Sequence, residues 1–266
     1  MSASRRTVLS ERDLAVLRLL LRFRLLTTTQ LQRLLMTDGS VLTRARRMRS
    51  VLQRLRRLSV ISQLDRHIGG IRAGSEGTVY RLTGRGLAVL ARRDGVERRR
   101  IGGEPGERFV RHVLAVSELY IRLDEHVRET ADELVAFDAE PLSWRSYTSP
   151  YGGITTLRPD AFVRTASGDF EHASFVEVDL STESLTTVAR KCHSYIAYWR
   201  SGNEQHHLGT FPRVVWATIS SARAQRIAAT IGRLAPEAQQ LFAVTTLETA
   251  GAVFLGQMSA AEGGRP

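Results

Sequence analysis

Hydrophobic residues recur every three or four positions in four stretches near the start of the chain, and this spacing predicts helices. The stretches are residues 11–23, 27–36, 41–61 and 84–93. Ser10 and Thr83 stand where they can cap the first and fourth helices. Two β-rich runs, residues 59–65 and 77–83, precede the fourth helix and are joined by the glycine-rich segment HIGGIRAGSE. We therefore expect three helices, a two-stranded hairpin and a closing helix.

The third predicted helix separates apolar from basic positions. Its expected inward face consists of Leu42, Ala45, Met48, Val51, Leu52, Leu55 and Leu58. Its other positions carry Arg44, Arg46, Arg47, Arg49, Arg54, Arg56 and Arg57. In a helix-turn-helix unit the later helix enters the major groove of DNA. The order of elements resembles the winged-helix family across residues 8–93.

A different pattern follows residues 94–107, which mix glycine, proline and charge and predict a linker. Residues 108–129 predict an amphipathic helix, and the later segments alternate between strands and helices in the order α-β-β-β-α-β-α-β. We expect a mixed central sheet in a domain covering residues 108–256, and a disordered tail over 257–266. The predicted fold class is α+β, with an N-terminal winged helix-turn-helix domain followed by a domain whose order of elements resembles the restriction-endonuclease-like fold.

Charge divides the chain in the same way. Residues 1–110 contain 24 arginines and nine acidic residues, a net charge of +15, whereas residues 111–266 carry a net charge of −4. This asymmetry predicts a polyanionic partner, double-stranded DNA, for the first domain. We predict DNA contacts from Arg44, Arg46, Arg47, Arg49 and Arg54 on the third helix and from Arg72 in the glycine-rich loop. The alternative is a basic face that serves only solubility.

Other bulk features narrow the class of protein. No apolar run is long enough to span a bilayer, and the N-terminus has no signal-type apolar stretch, so we expect neither a membrane partner nor secretion. The single cysteine, Cys192, excludes a disulfide framework and a cysteine-based zinc cluster. The expected location is the cytoplasm, in association with the nucleoid or a plasmid.

Three carboxylates mark the predicted strands of the second domain. Asp160 follows Pro159 at the head of one strand, and Glu177 and Asp179 alternate along the next. Alternate residues of a strand point to one face, so pairing the strands can bring all three carboxylates near one ion. A hard divalent cation prefers oxygen ligands and can activate water for attack on a phosphate. The predicted cofactor is therefore Mg²⁺ or Mn²⁺, bound by Asp160, Glu177 and Asp179.

The order of these elements resembles the PD-(D/E)xK nuclease core, with one departure. That family has a lysine two residues after the second acid, where this chain has Asp179. The only lysine of the chain, Lys191, falls on the following helix in the segment KCHSY. Related nucleases carry a Gln-x-x-x-Tyr motif on this helix, and Lys191 stands where the glutamine would be. Lys191 is either a displaced catalytic lysine, alongside Asp160, Glu177 and Asp179, or an ordinary helix residue.

The segments HVLAVSELYIRL, RPDAF, FVEVDLSTES and KCHSYIAYW, together with the basic N-terminal domain, resemble the replication-relaxation family over residues 8–256. The resemblance implies a protein of actinobacterial or other Gram-positive plasmids and integrative elements. It also implies a role in replication, DNA relaxation or mobilisation.

Three functions remain open at this point. The first is a DNA-binding protein of a mobile element whose nuclease-like domain has lost catalysis and binds a second copy or other replication or mobilisation proteins. The second is a Mg²⁺- or Mn²⁺-dependent endonuclease or nickase directed by the winged helix. The third is a transcriptional repressor.

Overall fold

A computed structural model describes residues 9–64, 77–97, 102–148 and 152–256. The chain divides into two compact units, Met1–Ser117 and Glu118–Pro266, and the division falls inside one long helix. The predicted linker contains residues 95–97 and 102–106, which form no helix or strand. The predicted domain limits themselves stay a prediction, and the tail over 257–266 lies outside the described residues.

The elements of the first unit match the predicted order. They are α1 (Glu11–Phe23), β1 (Leu25–Thr27), α2 (Thr28–Leu35), α3 (Val41–Arg57), β2 (Ile61–Gln63), β3 (Val79–Leu82), α4 (Gly84–Asp94) and the start of α5 (Glu107–Glu129). Ser10 and Asp13 form a reciprocal capping box that satisfies free amides at the start of α1. Thr83 accepts a hydrogen bond from the amide of Gly86 and caps α4 as predicted.

The apolar faces of these helices form the core of the first unit. Its largest fully buried side chains are Leu14, Leu17, Leu20, Leu26, Leu31, Met48, Leu52 and Leu55. One prediction for α3 is wrong, because Leu42 is 80% exposed. Leu42 has the helical spacing of the inward face, but the first turn of α3 extends beyond the core. The burial of α3 therefore begins at Met48.

A three-stranded antiparallel sheet completes the first unit, with the order β1-β3-β2. The predicted pairing of the two β-rich runs is confirmed by β2 and β3. The third strand of this sheet lies between α1 and α2, since Leu25 begins strand β1. All three residues of β1 are buried, and their pairing with β3 satisfies their backbone groups. The last residue of β1, Thr27, caps α2 by accepting a hydrogen bond from the amide of Gln30.

The second unit contains the rest of α5 and the remaining elements. These are β4 (Glu133–Ala139), β5 (Arg145–Thr148), β6 (Ile154–Leu157), β7 (Ala161–Ser167), β8 (Phe170–Asp179), α6 (Leu185–Ser201), α7 (Asn203–Leu208), β9 (Arg213–Thr218), α8 (Ser221–Ile231), α9 (Pro236–Gln239), β10 (Phe242–Thr246) and α10 (Ala250–Phe254). The short elements α7, α9 and α10 and the hairpin of β5 and β6 were not predicted.

The main sheet of the second unit has five strands in the order β10-β9-β8-β7-β4. Strands β4, β7 and β8 are antiparallel neighbours, whereas β8, β9 and β10 run parallel. The expected mixed sheet and the α+β class are thus confirmed. The assignments of a winged helix and a nuclease-like core stay predictions at this stage.

The core of the second unit lies between this sheet and the helices α6 and α8. Phe175 and Trp216 are contributed by β8 and β9, Cys192 and Tyr195 by α6, and Ile227 by α8. This packing fixes α6 beside the carboxyl half of β8, where Glu177 and Asp179 lie. No described helix is long and apolar enough to cross a membrane.

Candidate functional site

The first candidate surface is the outer face of α3. Met48, Val51, Leu52 and Leu55 hold the helix to its own unit. Arg46, Arg47 and Arg49 remain exposed, together with the polar Ser50 and Gln53. The basic face expected from the sequence is therefore available to solvent within the part of the chain that the structure describes.

The predicted DNA-contacting arginines differ in their surroundings. Arg49 folds back so that its Nε donates to the carbonyl of Ala45 at 3.3 Å. The Nε of Arg44 is buried, and no hydrogen-bond partner for it lies among the described residues. Arg72 belongs to the segment 65–76, which lies outside the described residues. Their roles in DNA binding stay predictions.

Arg54 has a specific partner inside the first unit. Its guanidinium bonds to Asp13, whose side chain is 2% exposed and also completes the capping box of α1. This pair ties the last turn of α3 to the start of α1. Arg54 therefore has a structural task, whatever part it takes in DNA binding.

A groove of about 620 Å³ runs beside this pair. It is lined by Ser10, Arg12, Thr43, Arg46, Arg47, Ser50, Val51 and Arg54. Its polar lining consists of guanidinium and hydroxyl groups, which are donors that suit phosphate oxygens. The groove and the outer face of α3 form a continuous basic surface on the first unit.

The second candidate site surrounds the three acidic residues on the sheet of the second unit. Asp160 immediately precedes β7, and its Oδ2 accepts a hydrogen bond from the amide of Val178 at 2.7 Å. Asp160, Glu177 and Asp179 are all buried. The pairing of β7 with β8 brings Asp160 next to Glu177, as the sequence predicted.

Glu177 is held by two residues of α6. Lys191 Nζ lies 2.8 Å from Glu177 Oε2, and the Tyr195 hydroxyl donates to Oε1 at 2.7 Å. Lys191 also lies 3.2 Å from a carboxylate oxygen of Glu183. Lys191 therefore reaches the buried acid of β8 from α6, and its role as a displaced catalytic lysine stays a prediction.

Burial and the neighbouring charge of Asp160 raise the pKa of Glu177 to about 7, although Lys191 and Tyr195 act in the opposite direction. Burial lowers the pKa of Lys191, but the charges of Glu177 and Asp160 outweigh it, so that this pKa lies above its ordinary value. The lysine is thus charged throughout the physiological range. In the cluster of Asp160, Glu177, Lys191 and Tyr195, hydrogen bonds join Glu177 to Lys191 and Tyr195, and Asp160 acts on them through its charge.

Asp179 belongs to a separate ion pair. Arg223, on α8, donates from Nε to Oδ1 and from a terminal nitrogen to Oδ2, both at 2.8 Å. The amide of Ser181 also donates to Oδ1. Arg223 is 5% exposed, so its charge is neutralised in the interior by Asp179. Arg223 was not among the predicted site residues, although its position in the apolar stripe of α8 is a usable signal.

These contacts bear on whether Asp160, Glu177 and Asp179 can bind a divalent cation together. A divalent cation needs several carboxylate oxygens directed at it. Both oxygens of Glu177 and both of Asp179 are engaged by donors from this chain. Within the described ranges, no group of three or more His, Cys, Asp or Glu side chains is placed to hold a metal ion. In this arrangement the oxygens of Glu177 and Asp179 are directed at donors of this chain, and binding of Mg²⁺ or Mn²⁺ by the three residues stays a prediction.

A basic helix on one compact unit and a buried acid–lysine cluster on a mixed sheet together define the class: a two-unit α+β protein. A family model described as Replication-relaxation matches residues 17–214, from α1 to β9, and the chain belongs to this family. Membership associates the chain with replication or relaxation of mobile elements. No curated protein and no solved structure matches the chain.

Proposed function

We propose that this chain is a DNA-binding protein of a plasmid or integrative element, acting in replication, relaxation or mobilisation. The observation that carries the proposal is the exposed arginine face of α3, on a unit with a large positive charge. A helix held by one apolar stripe and basic elsewhere is suited to enter a groove of duplex DNA. The proposal that the first unit is a winged helix rests on its order of elements, in which three helices are followed by the β2–β3 hairpin and α4.

The second unit serves in this proposal as a scaffold and a surface for partners. Glu177 is engaged by Lys191 and Tyr195, and Asp179 by Arg223, and these contacts stabilise the sheet and its helices. The partners proposed for it are a second copy of the chain or other replication or mobilisation proteins.

Fluorescence anisotropy with a labelled 30-bp duplex tests the DNA-binding proposal. Replacing Arg46 and Arg47 by glutamine removes two exposed charges, and we expect affinity to fall about tenfold or more. The control replaces Arg226 and Arg233, which are exposed in the second unit, and removes the same charge. Equal losses in both double variants, or no binding by the wild type, would contradict the proposal.

A second candidate function is a Mg²⁺- or Mn²⁺-dependent endonuclease or nickase. The position of Lys191 beside Glu177 and Asp160 favours it, because a lysine there supplies the charge missing at position 179. The ion pairs on Glu177 and Asp179 count against it and place it second.

Supercoiled plasmid incubated with each metal separates the two functions. A nickase gives relaxed circles with the wild type and with Asp169→Asn, an exposed residue of the β7–β8 turn, but not with Asp160→Asn or Lys191→Met. Cleavage that persists in Asp160→Asn would show that the cluster of Asp160, Glu177 and Lys191 is not the active site of a nuclease.

A further inference from the structure

The first turn of α3 carries exposed apolar side chains next to its arginines. Val41 is 64% and Leu42 80% exposed. Neither packs into the core of the first unit, which α3 joins at Met48. An exposed leucine at the tip of a strongly basic helix requires a reason of its own, since burial in this chain does not account for it.

Leu42 belongs to a stripe of exposed residues along α3. Leu42, Arg46, Arg49 and Gln53 follow the spacing i, i+4, i+7 and i+11, which places them on one side of a helix. All four are exposed. At 1.5 Å per residue the stripe is about 16 Å long, a length that covers about five base pairs.

The four side chains match the chemical groups on base edges in the major groove. Arginine donates to guanine, glutamine pairs with adenine, and an apolar side chain contacts the C5-methyl group of thymine. The surrounding positive charge of Arg44 and Arg47 complements the flanking phosphates. The arginines around Val41 and Leu42 attract duplex DNA, whereas a protein partner with a neutral or basic surface would have to approach this positive charge without such attraction.

We propose that Leu42 is a specificity-determining residue that reads thymine through its methyl group, at the leading end of the stripe Leu42–Arg46–Arg49–Gln53. This inference rests on the proposed DNA-binding function and adds the base that the helix tip selects. Leu42 contributes sequence preference, whereas the arginines supply most of the affinity.

The test removes the methyl group from DNA and the side chain from the protein. Sites are first selected by the wild-type chain from duplexes with a random 20-bp core. Binding to the selected duplex is then measured with each thymine replaced in turn by uracil, which lacks only the methyl group. We expect one or two replacements to weaken wild-type binding about three- to tenfold, the size expected for one buried methyl group.

Leu42→Ala should bind the thymine duplex more weakly and should no longer respond to uracil. The substitution leaves folding intact, because the side chain is exposed and alanine favours helix. The matched control is Leu142→Ala, an exposed leucine of the second unit, which should keep the full uracil response.

Two results overturn the inference while leaving DNA binding in place. One is a uracil response that is unchanged in Leu42→Ala, and the other is a selected site whose thymines all tolerate uracil. Sedimentation of the Leu42→Ala and Leu142→Ala variants can give a third such result. If Leu42→Ala converts a dimer to a monomer, the first turn of α3 serves self-association and not base recognition. If the wild type binds no duplex, the inference and the proposed function fail together.

Discussion

Each of the three acidic side chains in the second unit has its own partner, and this determines its task. Asp160 accepts from a backbone amide of β8, Glu177 binds Lys191 and Tyr195, and Asp179 binds Arg223. The sequence grouped them as ligands of one ion. Their contacts instead distribute them between an acid–lysine cluster and a buried ion pair.

Replacing Asp179 by alanine should destabilise the second unit by about 3–5 kcal/mol, because Arg223 would remain buried without a counter-charge. Chemical denaturation measures this free energy of unfolding. The exposed Asp169→Ala serves as the control and should change it by less than about 0.5 kcal/mol. A loss below about 1 kcal/mol for Asp179→Ala would show that the ion pair contributes little.

Glu177 gives the stability of the chain a predictable pH dependence. Its pKa rises from 4.5 to about 7 on folding, so the folded state holds this proton more tightly than the unfolded chain. The contribution of this group is therefore fully present below pH 4.5 and decreases by up to about 3 kcal/mol as the pH rises to 7. The free energy of unfolding of wild type minus that of Glu177→Gln should fall from pH 5 to pH 8, whereas a constant or rising difference would contradict the assignment.

Arg54 offers a comparison between a structural and a DNA-facing arginine. Arg54→Ala should lower the free energy of unfolding by about 1–2 kcal/mol, since buried Asp13 loses its partner. Arg46→Ala, on the same helix, should leave stability unchanged within about 0.5 kcal/mol. Thermal denaturation of the two variants distinguishes them, and equal melting temperatures would refute the structural task of Arg54.

Two residues mark the limit of what the sequence predicts at this scale. Arg223 precedes Ile227 and Ile231 by four and eight residues, so an arginine in the apolar stripe already indicated a buried acidic partner. Leu42 satisfies the helical period as well as Met48 does. Its exposure depends on where the core ends, which is a tertiary property that periodicity does not contain.

Among the elements, α4 depends on a close approach that only glycine allows. A Cβ at Gly86 would meet the carbonyl oxygen of Val60 at 2.2 Å. The same helix contains Gly84, around which no atom lies within 4 Å of an added Cβ. The contact of α4 with the residue before β2 is thus set by a single missing side chain.

Gly86→Ala should destabilise the first unit by about 2 kcal/mol or more, because the backbone of Val60 has to move. Gly84→Ala should be neutral or stabilising by up to about 1 kcal/mol through helix propensity. Denaturant titration of both variants is the measurement. A Gly86→Ala variant as stable as Gly84→Ala would show that α4 shifts without cost.

Long periodic elements were predicted well and short ones were not. The helices α1, α3, α4, α5, α6 and α8 bury an apolar stripe, and β7 and β8 form the expected hairpin. Strand β1 has three residues, and its existence depends on pairing with β3. The hairpin of β5 and β6 likewise depends on distant contacts, including those of Tyr147 with Tyr198. Tertiary pairing creates these elements, and local sequence carries little signal of it.

In the whole molecule, the positive charge is concentrated in the unit that we propose binds DNA, and the unit that we propose as a scaffold carries little net charge. The first unit carries the arginine surface, and the second holds Glu177 and Asp179 in ion pairs on its sheet. The charge separation and the family could be predicted from the sequence, because they depend only on residue counts and on sequence motifs. The internal pairing of the carboxylates required the packing of α6 and α8 against the sheet.

The salt dependence of duplex binding measures how many phosphates the arginines of α3 neutralise. If α3 and its groove neutralise several phosphates, the logarithm of the association constant should fall with the logarithm of salt concentration with a slope steeper than about −3. Replacing Arg46 and Arg47 by glutamine should make the slope shallower by about 1 or more, because Arg47 faces the flanking phosphates, whereas the Arg226 and Arg233 control should retain it. A wild-type affinity that hardly changes with salt, or a slope that both double variants share, would contradict the account.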